Sequence, residues 1–168
     1  MKVAILGGAL LLAIPLAAPA AESDLYGTWK MVSQSQKLTD TGEIRAGRGK
    51  TPNGYVTFTP DGRVIGIILN DKRPKPESVA KLTDQQRLEL FNTMNAFAGT
   101  YKLEGNKLTY RFELTHNEVP ARASVREIKI EGRKLTMVNE PAPATADGKM
   151  VQTTTVWEKV RAAAPAKK

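Results

Sequence analysis

The sequence predicts an all-β domain in which about eight or nine antiparallel strands close into a barrel, with one helix inserted midway. Short stretches of alternating apolar and polar residues recur from residue 26 onward, and turn residues separate them. Several links between these stretches are so tight that the flanking strands must be antiparallel neighbours. A barrel of about eight strands either fills with side chains or holds one small ligand.

The strands are expected at residues 26–37, 55–59, 63–69, 100–104, 108–115, 124–131, 134–138 and 151–160. The glycine-rich, basic segment 40–53 is expected to form a long loop or a weak edge strand. The turn Pro60-Asp61-Gly62 separates the second and third of these strands. Because proline fixes φ and glycine accepts a positive φ, these two strands are predicted to form a hairpin.

The inserted helix is predicted from a capping signal. Thr83 can cap the first turn while Gln86, three positions on, reaches back to the Thr83 amide. Four apolar residues then follow helical spacing: Leu90, Phe91, Met94 and Phe97. This apolar stripe either packs on the barrel or belongs to a moving lid.

The N-terminal segment is typical of a secretory signal. Lys2 is followed by an uninterrupted apolar stretch at residues 3–16 and by small residues at 17–21. A signal peptide is therefore predicted at residues 1–20, with a mature chain that begins at Ala21 and is periplasmic or secreted. An uncleaved N-terminal anchor is the alternative.

The composition limits the chemistry. One His and no Cys among 168 residues exclude disulfides, thiolate zinc sites and multi-histidine metal sites, and no cofactor is predicted. The net charge of +8 makes an anionic envelope surface a candidate partner, although such a charge also keeps a small domain soluble. Nucleic acid is excluded as a partner, because the basic residues lack accompanying exposed aromatics and export is expected. The folded domain is predicted at residues 21–160, followed by a disordered basic tail at 161–168.

Several motifs resemble one family. The Gly27-Thr28-Trp29 opening resembles the start of lipocalins, in which the Trp closes one end of the barrel. Further matching stretches are GYVTFTPDG at 54–62, FAGTY at 97–101, LTM at 135–137 and TVWEKV at 155–160. In order and spacing, the chain from residue 25 to 160 resembles the bacterial lipocalin-like domain family. The resemblance implies a barrel with an interior pocket and does not imply one reaction.

The chain departs from this resemblance in one strand. Typical members carry His in the strand at residues 108–115, where this chain has Thr109 and Tyr110. Chemistry that relies on that His is therefore not expected here. Arg126 does match an Arg of the family pattern.

Strand alternation selects Arg126. Ser124, Arg126, Ile128 and Ile130 share one face of their strand. If the isoleucines point inward, Arg126 does too, and a buried guanidinium needs a partner. Arg126 is then either the anchor for an anionic head group or carbonyl of a ligand, or a structural residue stacked on a Trp or paired with an internal acid.

The neighbouring strand places four residues on one face: Leu108, Tyr110, Phe112 and Leu114. Tyr110 is the polar group on that face, and its hydroxyl can meet a ligand or a backbone carbonyl. The leading hypothesis is a module that binds a small hydrophobic or amphipathic ligand in a pocket of at least ~300 Å³ with few polar groups. The wall or base of that pocket is expected to include Trp29, Tyr55, Tyr110, Phe112, Arg126 and Ile128.

Two alternatives stay open at this point. The first is an isomerase, cyclase or hydrolase that uses Tyr110, Arg126 or Glu113 on a small hydrophobic substrate. Strand alternation puts Glu113 on the opposite face, and no catalytic residue is predicted. The second alternative is a non-catalytic interaction protein of the envelope.

Polar loop residues are expected to be solvated. His116 lies at a strand end that enters a loop, where a lone His is usually exposed to solvent. Basic residues of two loops either rim one barrel mouth or are solvated: Arg45, Arg48, Lys50, Lys72, Arg73 and Lys75.

Overall fold

The computed structural model describes residues 20–118, 123–144 and 146–161. Its strands are β1 (Gly27–Leu38), β2 (Ile44–Ala46), β3 (Asn53–Phe58), β4 (Arg63–Leu69), β5 (Met94–Glu104), β6 (Lys107–Thr115), β7 (Ser124–Glu131), β8 (Lys134–Asn139), β9 (Ala142–Pro143) and β10 (Met150–Lys159). Its helices are α1 (Glu22–Leu25), a 3-10 turn at Val79–Lys81, and α2 (Asp84–Asn92).

Eight of the strands close into an antiparallel barrel. The order is β1-β3-β4-β5-β6-β7-β8-β10, and β10 pairs back onto β1 with Met31 opposite Trp157. The short strands β2 and β9 add to β1 and β10 outside this ring. The predicted all-β barrel with one inserted helix is confirmed, and β2 forms the weak edge strand expected between residues 40 and 53.

One end of the barrel is sealed by the N-terminal residues. The Trp29 side chain is fully buried, and its Nε1 donates to the carbonyl oxygen of Leu25 at 2.7 Å. Leu25 ends α1 and is itself fully buried, so α1 covers this end. The ammonium group of Lys159 lies 5.1 Å from the centre of the Trp29 ring. Trp29 therefore closes one end, as the resemblance implied.

The predicted hairpin is present. Phe58 at the end of β3 pairs with Val64 near the start of β4. In the turn, the amide of Thr59 donates to the Arg63 carbonyl oxygen at 3.0 Å, and Gly62 has φ +78°. Only glycine accepts such a φ without steric cost, so the residue that predicted the turn also permits it.

The capping signal of α2 is confirmed, but its predicted apolar stripe is wrong. The Gln86 amide donates to Thr83 Oγ1 at 3.2 Å, and the Thr83 amide donates to Gln86 Oε1 at 3.0 Å. The helix ends at Asn92, however, and Met94 and Phe97 belong to β5. They pair with β4 there, so backbone pairing with a distant strand replaces the helical spacing.

The inward face of β6 changes at a bulge. Gly99 of β5 pairs with Phe112 while its neighbour Ala98 pairs with Leu114, so Glu113 has no partner across the ladder. The predicted alternation therefore fails at Leu114, which is 64% exposed. The bulge forms at Gly99 because backbones approach closely there: a Cβ on Gly99 would lie 2.1 Å from the carbonyl oxygen of Arg111.

The predicted signal and tail lie almost wholly outside the described residues. Ala20 and Arg161 are the only members of the segments 1–20 and 161–168 that the structure describes. Neither described helix is long and apolar enough to cross a membrane.

Candidate functional site

A cavity of about 410 Å³ lies inside the barrel, and all eight barrel strands contribute lining residues. Its volume agrees with the expected minimum of ~300 Å³ for a ligand pocket. The expectation of few polar groups is wrong, since about half of the lining residues are polar or charged. The cavity is thus an amphipathic chamber.

Aromatic rings form one wall of the chamber. The rings of Phe112 and Phe97 meet edge to face with centroids 5.2 Å apart. The Phe112 ring meets the Tyr110 ring in the same manner at 5.8 Å. Tyr110 and Trp157 are buried and also line the cavity. Edge-to-face packing fixes these rings, so the apolar wall is preformed.

Arg126 is the main charged group of the chamber wall. Its Cζ lies 4.0 Å from the centre of the Tyr110 ring, and its Nε donates to Asn139 Oδ1 at 3.2 Å. Its Nη1 is buried and has no acceptor among the described residues. Burial lowers the pKa of Arg126, but a guanidinium stays charged at neutral pH. Arg126 therefore stacks on a tyrosine rather than on the expected Trp, and it forms no ion pair within the described segments.

Tyr110 lies beneath this guanidinium. Its hydroxyl donates to Met137 Sδ at 3.8 Å, a weak acceptor, rather than to the expected backbone carbonyl. Burial raises the pKa of Tyr110 to about 12, and the charge of Arg126 opposes that rise. Tyr110 therefore keeps its proton at neutral pH, and its ring holds Arg126 in place through a cation–π contact.

Trp157 and Arg48 also line the cavity; the sequence did not single out Trp157, and it offered Arg48 only as one of six basic residues that either rim a barrel mouth or are solvated. Trp157 Nε1 is buried without an acceptor among the described residues. Arg48 Nη1 donates to Asn70 Oδ1 at 2.9 Å, while its buried Nε has no such partner. Burial lowers the pKa of Arg48. Thr155 also lines the cavity, and Trp157 lies two residues further along β10, on the same face. Strand alternation could therefore have identified Trp157.

The loop that carries Arg48 is held by residues after β4. The Asp71 amide donates to the Arg48 carbonyl oxygen at 3.1 Å, and the Lys50 amide donates to Asp71 Oδ2 at 2.7 Å. Between them, Gly49 has φ +85°, and a Cβ there would lie 1.8 Å from Asp71 Oδ1. These contacts orient Arg48 toward the barrel mouth, which is the open end opposite Trp29.

Three of the other expected site residues lie off the cavity wall. Tyr55 is 41% exposed, because Val56 and Phe58 take the inward positions of β3, so its predicted place in the pocket is wrong. Ile128 is buried in the core without lining the cavity, and Trp29 lies at the sealed end. Alternation within β3 was a usable signal for Tyr55, since Tyr55 and Thr57 share its outer face.

The basic loop residues form no single ring. Arg45 makes a bidentate pair with Asp147, with its Nη1 2.5 Å from Oδ2. This pair joins β2 to the loop before β10 and lowers the pKa of Asp147 to about 2. Arg73 Nη1 donates to Thr93 Oγ1 at 3.1 Å. Arg48 is the member of this basic set that lines the cavity.

His116 is half-buried rather than solvated as expected. Its Nδ1 accepts a long hydrogen bond of 3.4 Å from the Ala96 amide, and its ring centroid lies 5.1 Å from that of Phe91 on α2. Both residues line an outer recess of about 600 Å³ that shares Arg48 and Asn95 with the cavity. The end of α2 therefore packs on the barrel beside the mouth.

Among the described residues, Glu140 is the one carboxylate that lines the cavity, and it is exposed. Glu113 projects outward from the bulge and forms an ion pair with Arg63 at 2.8 Å, as its predicted face requires. Within the described segments no three His, Cys, Asp or Glu side chains cluster to hold a metal ion. What the described chamber does provide is apolar surface together with hydrogen-bond donors, which suits ligand binding.

Comparisons with known proteins agree with the geometry. The family model of the lipocalin-like domain matches residues 26–160, a range that includes every described strand from β1 to β10. No curated protein matches the chain. Barrels of this kind are suited to binding a ligand in their interior. The chain belongs to the family of lipocalin-like domains.

Proposed function

We propose that this protein is an exported binding protein that holds one small hydrophobic or amphipathic molecule in its barrel. The observation that carries the proposal is the cavity of about 410 Å³, whose wall combines packed aromatic rings with the Arg126 guanidinium. The apolar wall supplies contact area for a hydrophobic body, and the few charged groups orient it. Ligand binding is favoured over catalysis because Glu113 pairs with Arg63 outside the barrel, and Glu140, the described carboxylate that lines the cavity, is exposed at its rim.

Export is the second part of the proposal. It is supported by the apolar stretch at residues 3–16 and the small residues that follow it. The protein purified from its own host is expected to begin at Ala21 and to reside in the periplasm or the medium. An N-terminal sequence that begins at Met1 contradicts cleavage, and a purely cytoplasmic protein contradicts export.

The binding proposal is tested with the neutral fluorescent probe phenylnaphthylamine, which brightens in apolar surroundings. Thr153 lines the cavity, whereas the next residue of β10, Thr154, does not. Thr153→Phe places a ring inside the chamber and is expected to weaken probe binding by about tenfold or more. The matched control Thr154→Phe places the same ring on the outer face and is expected to leave binding unchanged.

Circular dichroism spectra verify that both variants keep the β-sheet spectrum. Equal binding by Thr153→Phe and Thr154→Phe shows that the probe sits outside the barrel and contradicts the proposed site. Native mass spectrometry of protein from its own host adds an independent readout, because a retained small molecule is expected to be absent from the Thr153→Phe variant.

A further inference from the structure

Three buried polar atoms around the cavity are hydrogen-bond donors, and none has an acceptor within the part of the chain that the structure describes. They are Arg126 Nη1, Trp157 Nε1 and Arg48 Nε. All three residues line the same chamber. Buried donors are costly when they stay unpaired, so proteins normally give each one a partner. The three atoms are covered by neighbouring protein atoms, so a ligand that supplies acceptors pairs with them once these side chains turn toward the cavity.

The donors occupy different levels of the barrel. Arg126 pairs across the ladder with Asn139 near the open end of β8, whereas Trp157 pairs with Leu135 near the sealed end. Arg48 enters from the mouth, where Asn70 holds its Nη1. An elongated ligand that reaches from the mouth toward Trp157 therefore passes all three donors.

The charge in the chamber specifies the type of acceptor. Arg126 and Arg48 are both cationic, and neither forms an ion pair with a described carboxylate. Glu140, the acidic side chain that lines the cavity, is exposed at its rim. Guanidinium groups bind carboxylates and other oxyanions with particularly strong hydrogen bonds. The head group that fits here is anionic.

We propose that the ligand is a small organic acid with an aromatic or otherwise apolar body, and that it carries a second acceptor oxygen. Its oxyanion binds Arg126 with help from Arg48, its body lies on the Tyr110 and Phe112 rings, and its second oxygen accepts from Trp157 Nε1. This inference rests on the proposed function, since it specifies the occupant of the same cavity.

The anionic head is tested with two dyes that share one ring system. Anilinonaphthalene sulfonate carries an oxyanion, and phenylnaphthylamine lacks it. The wild type is expected to bind the sulfonate about tenfold more tightly than the neutral dye. Arg126→Met is expected to abolish this preference, so that the variant binds the two dyes with similar affinity. Arg111→Met removes the same charge from the exposed outer side of β6 and serves as the matched control.

The second oxygen is tested by displacement of the sulfonate dye. The acid para-acetylbenzoate has a carbonyl where para-isopropylbenzoate, of similar size, has none. The wild type is expected to prefer the acetyl compound several-fold, and Trp157→Phe is expected to remove that preference because it deletes Nε1. Inorganic sulfate, included as a free anion, is expected to displace the dye much more weakly than either acid.

The outcomes separate the two proposals. Failure of the wild type to bind either dye contradicts the proposed binding function itself. Equal affinity for both dyes agrees with the binding function but overturns the inference of an anionic ligand. This result is expected if water molecules, rather than a ligand, accept from the three donors. An equal effect of Arg111→Met, or displacement by sulfate as strong as by the benzoates, also overturns it. If Arg126→Met does not fold, Arg48→Met at the mouth is expected to reduce the same dye preference, and an unchanged preference there contradicts the inference.

Discussion

The guanidinium carbon of Arg126 lies 4.0 Å from the centre of the Tyr110 ring. This contact holds a positive charge against an aromatic wall, while Asn139 binds Nε and Nη1 keeps no acceptor in the described chain. A stacked guanidinium is partly compensated for its loss of water, but less fully than one paired with a carboxylate. The arrangement therefore favours a ligand at the expense of the stability of the free protein.

Arg126→Met is expected to increase the free energy of unfolding by about 1 kcal/mol, because it replaces a buried charge without an ion-pair partner by an apolar side chain of similar length. Chemical denaturation without ligand measures this change. Arg111→Met on the outer face is the control, with an expected change within about 0.5 kcal/mol. A structural role for Arg126 would instead lower the free energy of unfolding of Arg126→Met by about 2 kcal/mol or more, and that result contradicts the prediction.

Alkaline pH is expected to destabilise the fold through two tyrosines. Burial raises the pKa of Tyr101 and of Tyr110 from 10.0 to about 12. The unfolded chain therefore releases these protons at lower pH than the folded chain. The contribution of the two tyrosines to the free energy of unfolding is fully present below pH 10 and is lost as the pH rises toward 12. Urea denaturation across this range measures the slope.

The single variants Tyr101→Phe and Tyr110→Phe are each expected to reduce this alkaline slope, and the double variant is expected to reduce it further. Tyr101→Phe also loses the hydrogen bond to the Thr59 carbonyl oxygen, so its absolute stability falls by about 1 kcal/mol. The slope, rather than the absolute value, is the readout. A double variant with the wild-type slope contradicts the assignment.

Local signals predicted the elements that depend on neighbouring residues. The hairpin turn at Gly62 and the capping box of Thr83 and Gln86 are confirmed, because each is complete within a few residues of sequence. Met94 and Phe97 were misplaced on a helix, since their pairing with β4 depends on residues far away in the chain. The alternation of inward and outward side chains in β6 fails at Leu114, where the bulge opposite Gly99 shifts the pairing of β5 with β6.

The same distinction applies to the site. Alternation placed Tyr110, Phe112 and Arg126 on the inner face, and all three line the cavity. Arg48 could not be assigned from sequence, because its position depends on bonds to Asn70 and Asp71 after β4. Whether a buried donor has an acceptor depends on the three-dimensional packing around it, so it cannot be predicted from a residue pattern.

Gly66 is expected to control the width of the cavity. It pairs with Phe97, and a Cβ on Gly66 would lie 2.5 Å from Cζ of that ring. Gly66→Ala therefore pushes the Phe97 ring toward Tyr110 and the chamber, at a cost of about 1–3 kcal/mol in stability. Titration with phenylnaphthylamine is expected to show several-fold weaker binding. Adding Phe97→Leu is expected to restore both properties, and a double variant no better than the single one contradicts this account.

Gly99 is expected to tolerate no side chain, because the bulge brings its Cα against the backbone of β6. A Cβ there would lie 2.1 Å from the Arg111 carbonyl oxygen, and a carbonyl within a ladder cannot rotate away as a side chain can. Gly99→Ala is therefore expected to lose about 2–3 kcal/mol of stability in chemical denaturation. Thr100→Ala, the next residue of β5, is the control and is expected to lose less than about 1 kcal/mol. Wild-type stability in Gly99→Ala would mean that the bulge is absent, which would return Leu114 to the inner face and remove Thr115 from the cavity wall.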